Sequence, residues 1–238
     1  MNPTFKLGGE LEVRRLGFGA MRIVNDRAEG ALVLRRAIEL GVTLVDTADV
    51  YGTGASEEIV AEALHPYAKD LVIATKGGIG RGFQDRLRDG RPEYLRRACE
   101  ASLRRLRLER IDLYYFHRHD PEVPIEESVG ALQQLRDEGK IRLIGVSNVS
   151  LEQLRAAQSV ARIAAVQNEF NRGLLTSEDV LEACEAEGIA FVPWSPLGEG
   201  LRDSAFELRW LLDRSPVMLP IPGTSKVSHL EDNMRAVA

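Results

Sequence analysis

IRLIGV, residues 141–146, is a short run of large aliphatic side chains with a single arginine, ended by Ser147 and Asn148. It is too short to span a membrane and too apolar to alternate between a dry and a wet face. Such a run suits a strand of a parallel sheet that helices cover. Before it, residues 124–138 repeat their apolar positions at helical spacing, with Pro124 placed to open the helix and Gly139 to close it. A second helical stretch comes after it, over 150–160. Working outward, the same alternation recurs. Strands are expected at 14–18, 43–46, 70–75, 111–116, 141–146, 163–167, 189–194 and 217–221. Helices are expected near 27–40, 56–66, 92–106, 124–138, 150–160, 176–187, 204–214 and 226–236. Gly41 is placed to cap the first helix at its end, and Ser56 to cap the second at its start. Residues 4–13, centred on Gly8-Gly9, read as a small hairpin ahead of the first strand.

Strict alternation of eight strands and eight helices predicts an α/β fold. The specific expectation is a (β/α)8 TIM barrel with a short N-terminal β-hairpin closing its floor, one domain over residues 1–238. The length of 238 residues is close to the roughly 250 typical of that barrel. An open doubly wound sheet also alternates strand and helix. It is disfavoured because Leu16-Gly17-Phe18-Gly19-Ala20 is only an incomplete GxGxxG fingerprint.

Charge narrows the function classes. A net charge of −5, from 31 basic and 36 acidic side chains, gives no basic surface for nucleic acid. Arg96-Arg97 and Arg104-Arg105 fall in helical stretches and read as solvated faces. Cys99 and Cys184 stand apart, without a CxxC pattern, and read as buried thiols of a reducing compartment rather than as metal ligands. The N-terminus lacks the apolar core of a signal peptide, and no apolar stretch approaches the ~20 residues of a membrane helix. The expected location is cytoplasmic, with no membrane partner and no metal. The sequence assigns no oligomeric state.

In a barrel of this kind the chemistry gathers where the strands end. Asp46, Asp49 and Tyr51 follow the second strand, Lys76 the third and His117 the fourth. Ser147 and Asn148 follow the fifth. Gln167 and Asn168 end the sixth, Trp194 and Ser195 the seventh, and Gly223, Thr224, Ser225 and Lys226 follow the eighth. An Asp, a Tyr, a Lys and a His at one mouth make a proton-transfer site. A lysine cation favours the phenolate form of a neighbouring tyrosine, an aspartate holds that lysine charged, and a histidine orients a carbonyl oxygen or passes on a proton. Taken singly, each has a structural reading: a turn cap, a surface cation, a packed ring, a satisfied histidine. Four on three successive strand ends point to a site.

These residues lie in stretches that resemble the aldo-keto reductase family. DTADVYG (46–52) with SEE (56–58) resembles its Asp–Tyr segment, ATKGG (74–78) its lysine strand and DLYYFHRHD (112–120) its histidine strand. GVSN (145–148), VQNEFN (166–171), PWSPLG (193–198) and PIPGTSKVSHLEDN (220–233) come next in the family's order. The resemblance implies NADPH-dependent reduction of a small aldehyde or ketone, with NADH as a possible second cofactor. Tyr51 is then the general acid, Lys76 and Asp46 tune it, and His117 orients the substrate. Ser147, Asn148 and Gln167 are implied to hold the nicotinamide carboxamide. Trp194 is implied to stack on the ring, where many relatives carry tyrosine. Gly19, Ala20 and Met21 would line the first loop. Ser195, Leu197 and Gly198 would lie along the pyrophosphate. Gly223, Thr224, Ser225, Lys226, His229, Asp232 and Asn233 would surround the adenosine and its 2′-phosphate. Two departures stand out. PWSPLG runs almost directly into LRDSAFELRWLL, and the sequence stops at Ala238, where relatives carry a longer loop and a further helix and tail. They imply a shortened barrel with an open mouth and weak cofactor retention. Two other readings use the same fold: a non-catalytic cofactor-binding regulator, and a Schiff-base aldolase built on Lys76.

Overall fold

The computed structural model describes residues 3–80, 88–198 and 203–237. The chain opens with an antiparallel hairpin, β1 (Thr4–Leu7) and β2 (Leu11–Arg14). Gly8 and Gly9 turn it at φ of 59° and 76°, which residues with a Cβ adopt only under strain. The turn packs tightly beneath the sheet, since a Cβ on Gly8 would come within 2.7 Å of Leu143. Leu7 and Val13 join Leu113, Leu143 and Ala164 in one buried cluster, so the hairpin plugs the floor as expected.

Seven parallel strands come after it: β3 (Phe18–Gly19), β4 (Leu44–Asp46), β5 (Val72–Gly77), β6 (Ile111–Phe116), β7 (Ile141–Ser147), β8 (Ile163–Gln167) and β9 (Ala190–Phe191). They pair in chain order, and every pairing is parallel. The described residues hold eight α-helices: α1 (Arg27–Glu39), α2 (Ala55–Leu64), α3 (Pro92–Leu106), α4 (Ile125–Asp137), α5 (Leu151–Gln158), α6 (Glu178–Glu187), α7 (Ser204–Arg214) and α8 (Val227–Met234). The ring closes through residues 217–222. On one side Phe191 N–H donates to Val217 O (2.9 Å) and Leu219 N–H to Phe191 O (2.8 Å). On the other, Gly17 N–H donates to Pro220 O (3.0 Å) and Gly19 N–H to Pro222 O (3.2 Å). This is a (β/α)8 barrel with an N-terminal hairpin.

Three details correct the sequence reading. The strand expected at 217–221 forms only a bridge between Phe191 and Met218, because Pro220 and Pro222 have carbonyls to offer but no N–H to return. The first strand, expected at 14–18, is split: Arg14 ends the hairpin, and the barrel strand is Phe18–Gly19. Between them buried Arg15 fastens the seam, donating to the carbonyls of Leu212 (2.8 Å), Met218 (3.2 Å) and Ser215. Ser56 does not cap α2, whose N-cap is Gly54. Its hydroxyl is spent inside, donating to Ala20 O and bonding Thr47 Oγ1, both at 2.8 Å. The glycines expected after α1 and α4 do terminate them, at φ of 89° for Gly41 and 76° for Gly139.

Side chains alternate between two cores. One lies between strands and helices and includes Ile73, Tyr114 and Phe116. The other fills the barrel and includes Leu44, Val72, Ala74 and Tyr115. The period of two continues Leu44 to Asp46 on β4, and Val72 and Ala74 to Lys76 on β5. Two adjacent apolar columns therefore end at the top of the barrel in a carboxylate and an ammonium. Both cysteines are buried, and burial pushes each thiol up to about 12. Among the described residues no helix is long and apolar enough to cross a membrane, and no cluster of His, Cys, Asp or Glu is suited to a metal.

Candidate active site

Lys76 has no exposure to solvent, yet its ammonium is fully bonded. It donates to Asp46 Oδ1 at 2.5 Å, Thr47 O at 2.7 Å and Tyr51 Oη at 3.3 Å. Burial works against the cation, but Asp46 and Tyr51 outweigh it and raise the lysine's pKa. The second oxygen of Asp46 accepts from Gln167 Nε2 at 2.9 Å. The carboxylate is thus held on both sides, and it aims one charge at the tyrosine hydroxyl through the lysine.

His117 follows β6, its backbone N–H anchored on Gly77 O (2.8 Å). Its ring stands edge-on to that of Tyr51, with centroids 6.1 Å apart. Nδ1 is buried without a partner among the described residues. Burial first, then the Lys76 and Arg118 cations, hold its pKa well below the usual imidazole value. The ring is therefore neutral at physiological pH and can donate from one nitrogen. This links protonation to stability. The unfolded chain takes up a proton near pH 6.5 that the folded site refuses. The stability contributed is complete above that pH and declines as pH falls below it, by up to about 1.4 kcal/mol per pH unit. Urea midpoints between pH 8 and 5 should show this acid-side loss, and His117→Gln should flatten it. An unchanged acid limb in the variant would contradict it.

Asp46, Tyr51, His117 and Gln167 line a cavity of about 400 Å³ at the C-terminal ends of the strands. Of the residues expected from the sequence, Gly19, Met21, Asp46, Tyr51, His117, Ser147, Asn148, Gln167, Trp194, Ser195, Leu197, Gly198 and Gly223 line it. Lys76 lies behind Tyr51, and Ala20 is fully buried beneath the loop. Thr224, Ser225, Lys226, His229, Asp232 and Asn233 lie beyond the cavity, in the last loop and on α8. Lys226 is exposed, and its backbone N–H is held by Thr224 Oγ1 (3.1 Å).

The three residues expected to hold a carboxamide are already bonded to one another, Gln167 through its backbone carbonyl. Ser147 Oγ donates to Gln167 O (2.8 Å) and accepts from Asn148 Nδ2 (2.9 Å). Asn148 Oδ1 accepts from the Trp194 indole at 3.0 Å, which fixes the plane of that ring. Gln167 is in addition a support of Asp46. The sequence reading missed Arg22, Val50, Ile79, Arg118, Pro196, Ile221 and Pro222 in the lining. Arg118 had a signal, because it directly follows His117 at a strand end. The connection 199–202, on which the expected shortening after the seventh strand rests, lies outside the described residues.

The model of the aldo/keto reductase family matches residues 15–207. The chain belongs to that family. It is 41% identical to an uncharacterised oxidoreductase of Schizosaccharomyces pombe, over 96% of this chain and 83% of that protein. It is 38% identical to pyridoxine 4-dehydrogenase of Escherichia coli, over 98% of this chain and 92% of the other. Among solved structures, an aldo-keto reductase from Klebsiella pneumoniae in complex with NADP and acetate superposes with a TM-score of 0.84 at 28% identity. That superposition covers 100% of this chain and 90% of the other. This aldo-keto reductase is accordingly an enzyme of the oxidoreductase class.

Proposed function

We propose that this aldo-keto reductase reduces aldehydes or ketones to alcohols with NADPH, and that Tyr51 supplies the proton. The observation that carries the reading is the Lys76 ammonium, bonded to both Asp46 and Tyr51 at the floor of the cavity. The cavity suits a nicotinamide. Trp194 offers a flat face whose edge is pinned by Asn148. Gly19 and Gly223 both line the cavity, and they let the first strand pack closely on residues 221–223, since a Cβ on Gly19 would lie 2.7 Å from Ile221 O and one on Gly223 2.7 Å from Gly19 O. When bound there, the cofactor supplies a hydride. The chain's own residues do the rest. His117 and Tyr51 bracket the carbonyl oxygen, and Tyr51 hands over its proton as negative charge develops. Lys76 and Asp46 stabilise the phenolate left behind. A Schiff-base role for Lys76 is disfavoured, since its nitrogen is cationic, shielded and occupied by three acceptors. Thr224, Ser225 and Lys226, before the start of α8, support recognition of a 2′-phosphate.

A panel of aldehydes and ketones followed by NADPH absorbance tests this reading. Turnover of simple aldehydes, with a higher kcat/KM for NADPH than for NADH, is expected. Tight NADPH binding with no turnover of any carbonyl compound would favour a regulator instead.

A further inference from the structure

Arg118 lines the cavity beside His117, half-buried, and makes no ion pair or hydrogen bond among the described residues. The acid nearest to it in sequence and the acid in the cavity lining are both engaged elsewhere. Asp120, two residues on, accepts Glu122 N–H (3.0 Å) on one oxygen and Gly90 N–H (3.1 Å) on the other. Asp46, the one acid among the lining residues, is held by Lys76 and Gln167. Two other arginines do have carboxylate partners, Arg105 in Glu57 and Arg172 in Glu207. A guanidinium has five donors and no means of losing its charge. Here it faces a space walled partly by Val50, Ile79 and Trp194, where water competes less for it.

Position in the barrel separates this arginine from the cofactor. Arg118 follows the fourth strand of the ring. The segments proposed to hold the phosphates follow the seventh strand and the eighth segment, residues 217–222, across the ring from it. Arg22, after the first strand, sits on their side. We infer that Arg118 is a specificity residue for carbonyl compounds that carry a carboxylate, the apolar walls holding the spacer between the two groups. This rests on the reductase reading. The carbonyl carbon gains the hydride and its oxygen the Tyr51 proton, while the carboxylate stays unchanged against Arg118.

The test compares 4-carboxybenzaldehyde with its neutral analogue 4-methylbenzaldehyde, using NADPH. Wild type should favour the carboxylate by about 10–100-fold in kcat/KM, the worth of a hydrogen-bonded charge pair, expressed mainly in KM. Arg118→Met should bring the ratio to about one with an unchanged NADPH dissociation constant, and Arg118→Lys should keep part of the preference. A ratio near one in wild type, or a preference that survives in Arg118→Met, overturns the inference. So does a weakening of NADPH binding that accounts for the whole effect. If neither aldehyde is reduced, the reductase reading has failed. The arginine is then tested by equilibrium binding of 4-(hydroxymethyl)benzoate against 4-methylbenzyl alcohol, read by tryptophan fluorescence. Tighter binding of the anion that disappears in Arg118→Met supports the site, and equal binding overturns it.

Discussion

Tyr51→Phe should lower kcat by about 10²–10⁴-fold while leaving NADPH binding intact. The substitution deletes one hydroxyl, the group that meets Lys76 Nζ at 3.3 Å, and keeps the ring that stands against His117. No residue proposed to hold the cofactor is touched. Loss of a proton donor should appear in kcat and kcat/KM together, because the interaction is made in the transition state and not in the ground state. Fluorescence titration gives the binding constant, and single-turnover oxidation of bound NADPH gives the chemical step. Wild-type turnover of a simple aldehyde by the variant would remove Tyr51 from the mechanism.

Lys76→Met should cost stability as well as rate. It strands Asp46, which is 2% exposed, with Gln167 as its remaining partner. Breaking one side of a buried ion pair typically costs about 3–5 kcal/mol. The loss should show as a lower urea midpoint, with turnover reduced at least as severely as by Tyr51→Phe. Neutralising the orphaned acid as well, in Lys76→Met with Asp46→Asn, should recover much of the stability and none of the turnover. That separation distinguishes a charge placed for chemistry from one placed for folding. A single variant that unfolds at the wild-type midpoint would show that the pair is not strongly coupled.

The alternation of apolar runs and helical stretches was sufficient for the barrel, because every strand is shielded by helices and its composition says so. Asp46, Tyr51, Lys76 and His117 were legible because each lies at or just after a strand end, where the topology gathers side chains at one mouth. Long-range partnerships were not legible. Gln167 reaches Asp46 across 121 positions and Trp194 reaches Asn148 across 46, and no local pattern announces either bond. Ser56 illustrates the same limit: its local context fits a cap, but buried partners 9 and 36 residues away claim its hydroxyl. The shape of the eighth strand was readable in principle. Pro220 and Pro222 are visible in the sequence, and two missing donors weaken a ladder wherever they fall.

That weak ladder sits beside the cavity, since Gly19, Ile221, Pro222 and Gly223 are all in its lining. Between Gly17–Gly19 and residues 220–222 the proline nitrogens have nothing to give, so the join lacks the reciprocity found elsewhere in the ring. A cylinder with one such join behaves as a cuff with a clasp. A ligand lodged at this rim would touch Gly19 on one side and Ile221 to Gly223 on the other, and so would add contacts across the join that the prolines leave short of hydrogen bonds. In this architecture the rim proposed to receive the cofactor is also where the backbone ladder of the ring is thinnest.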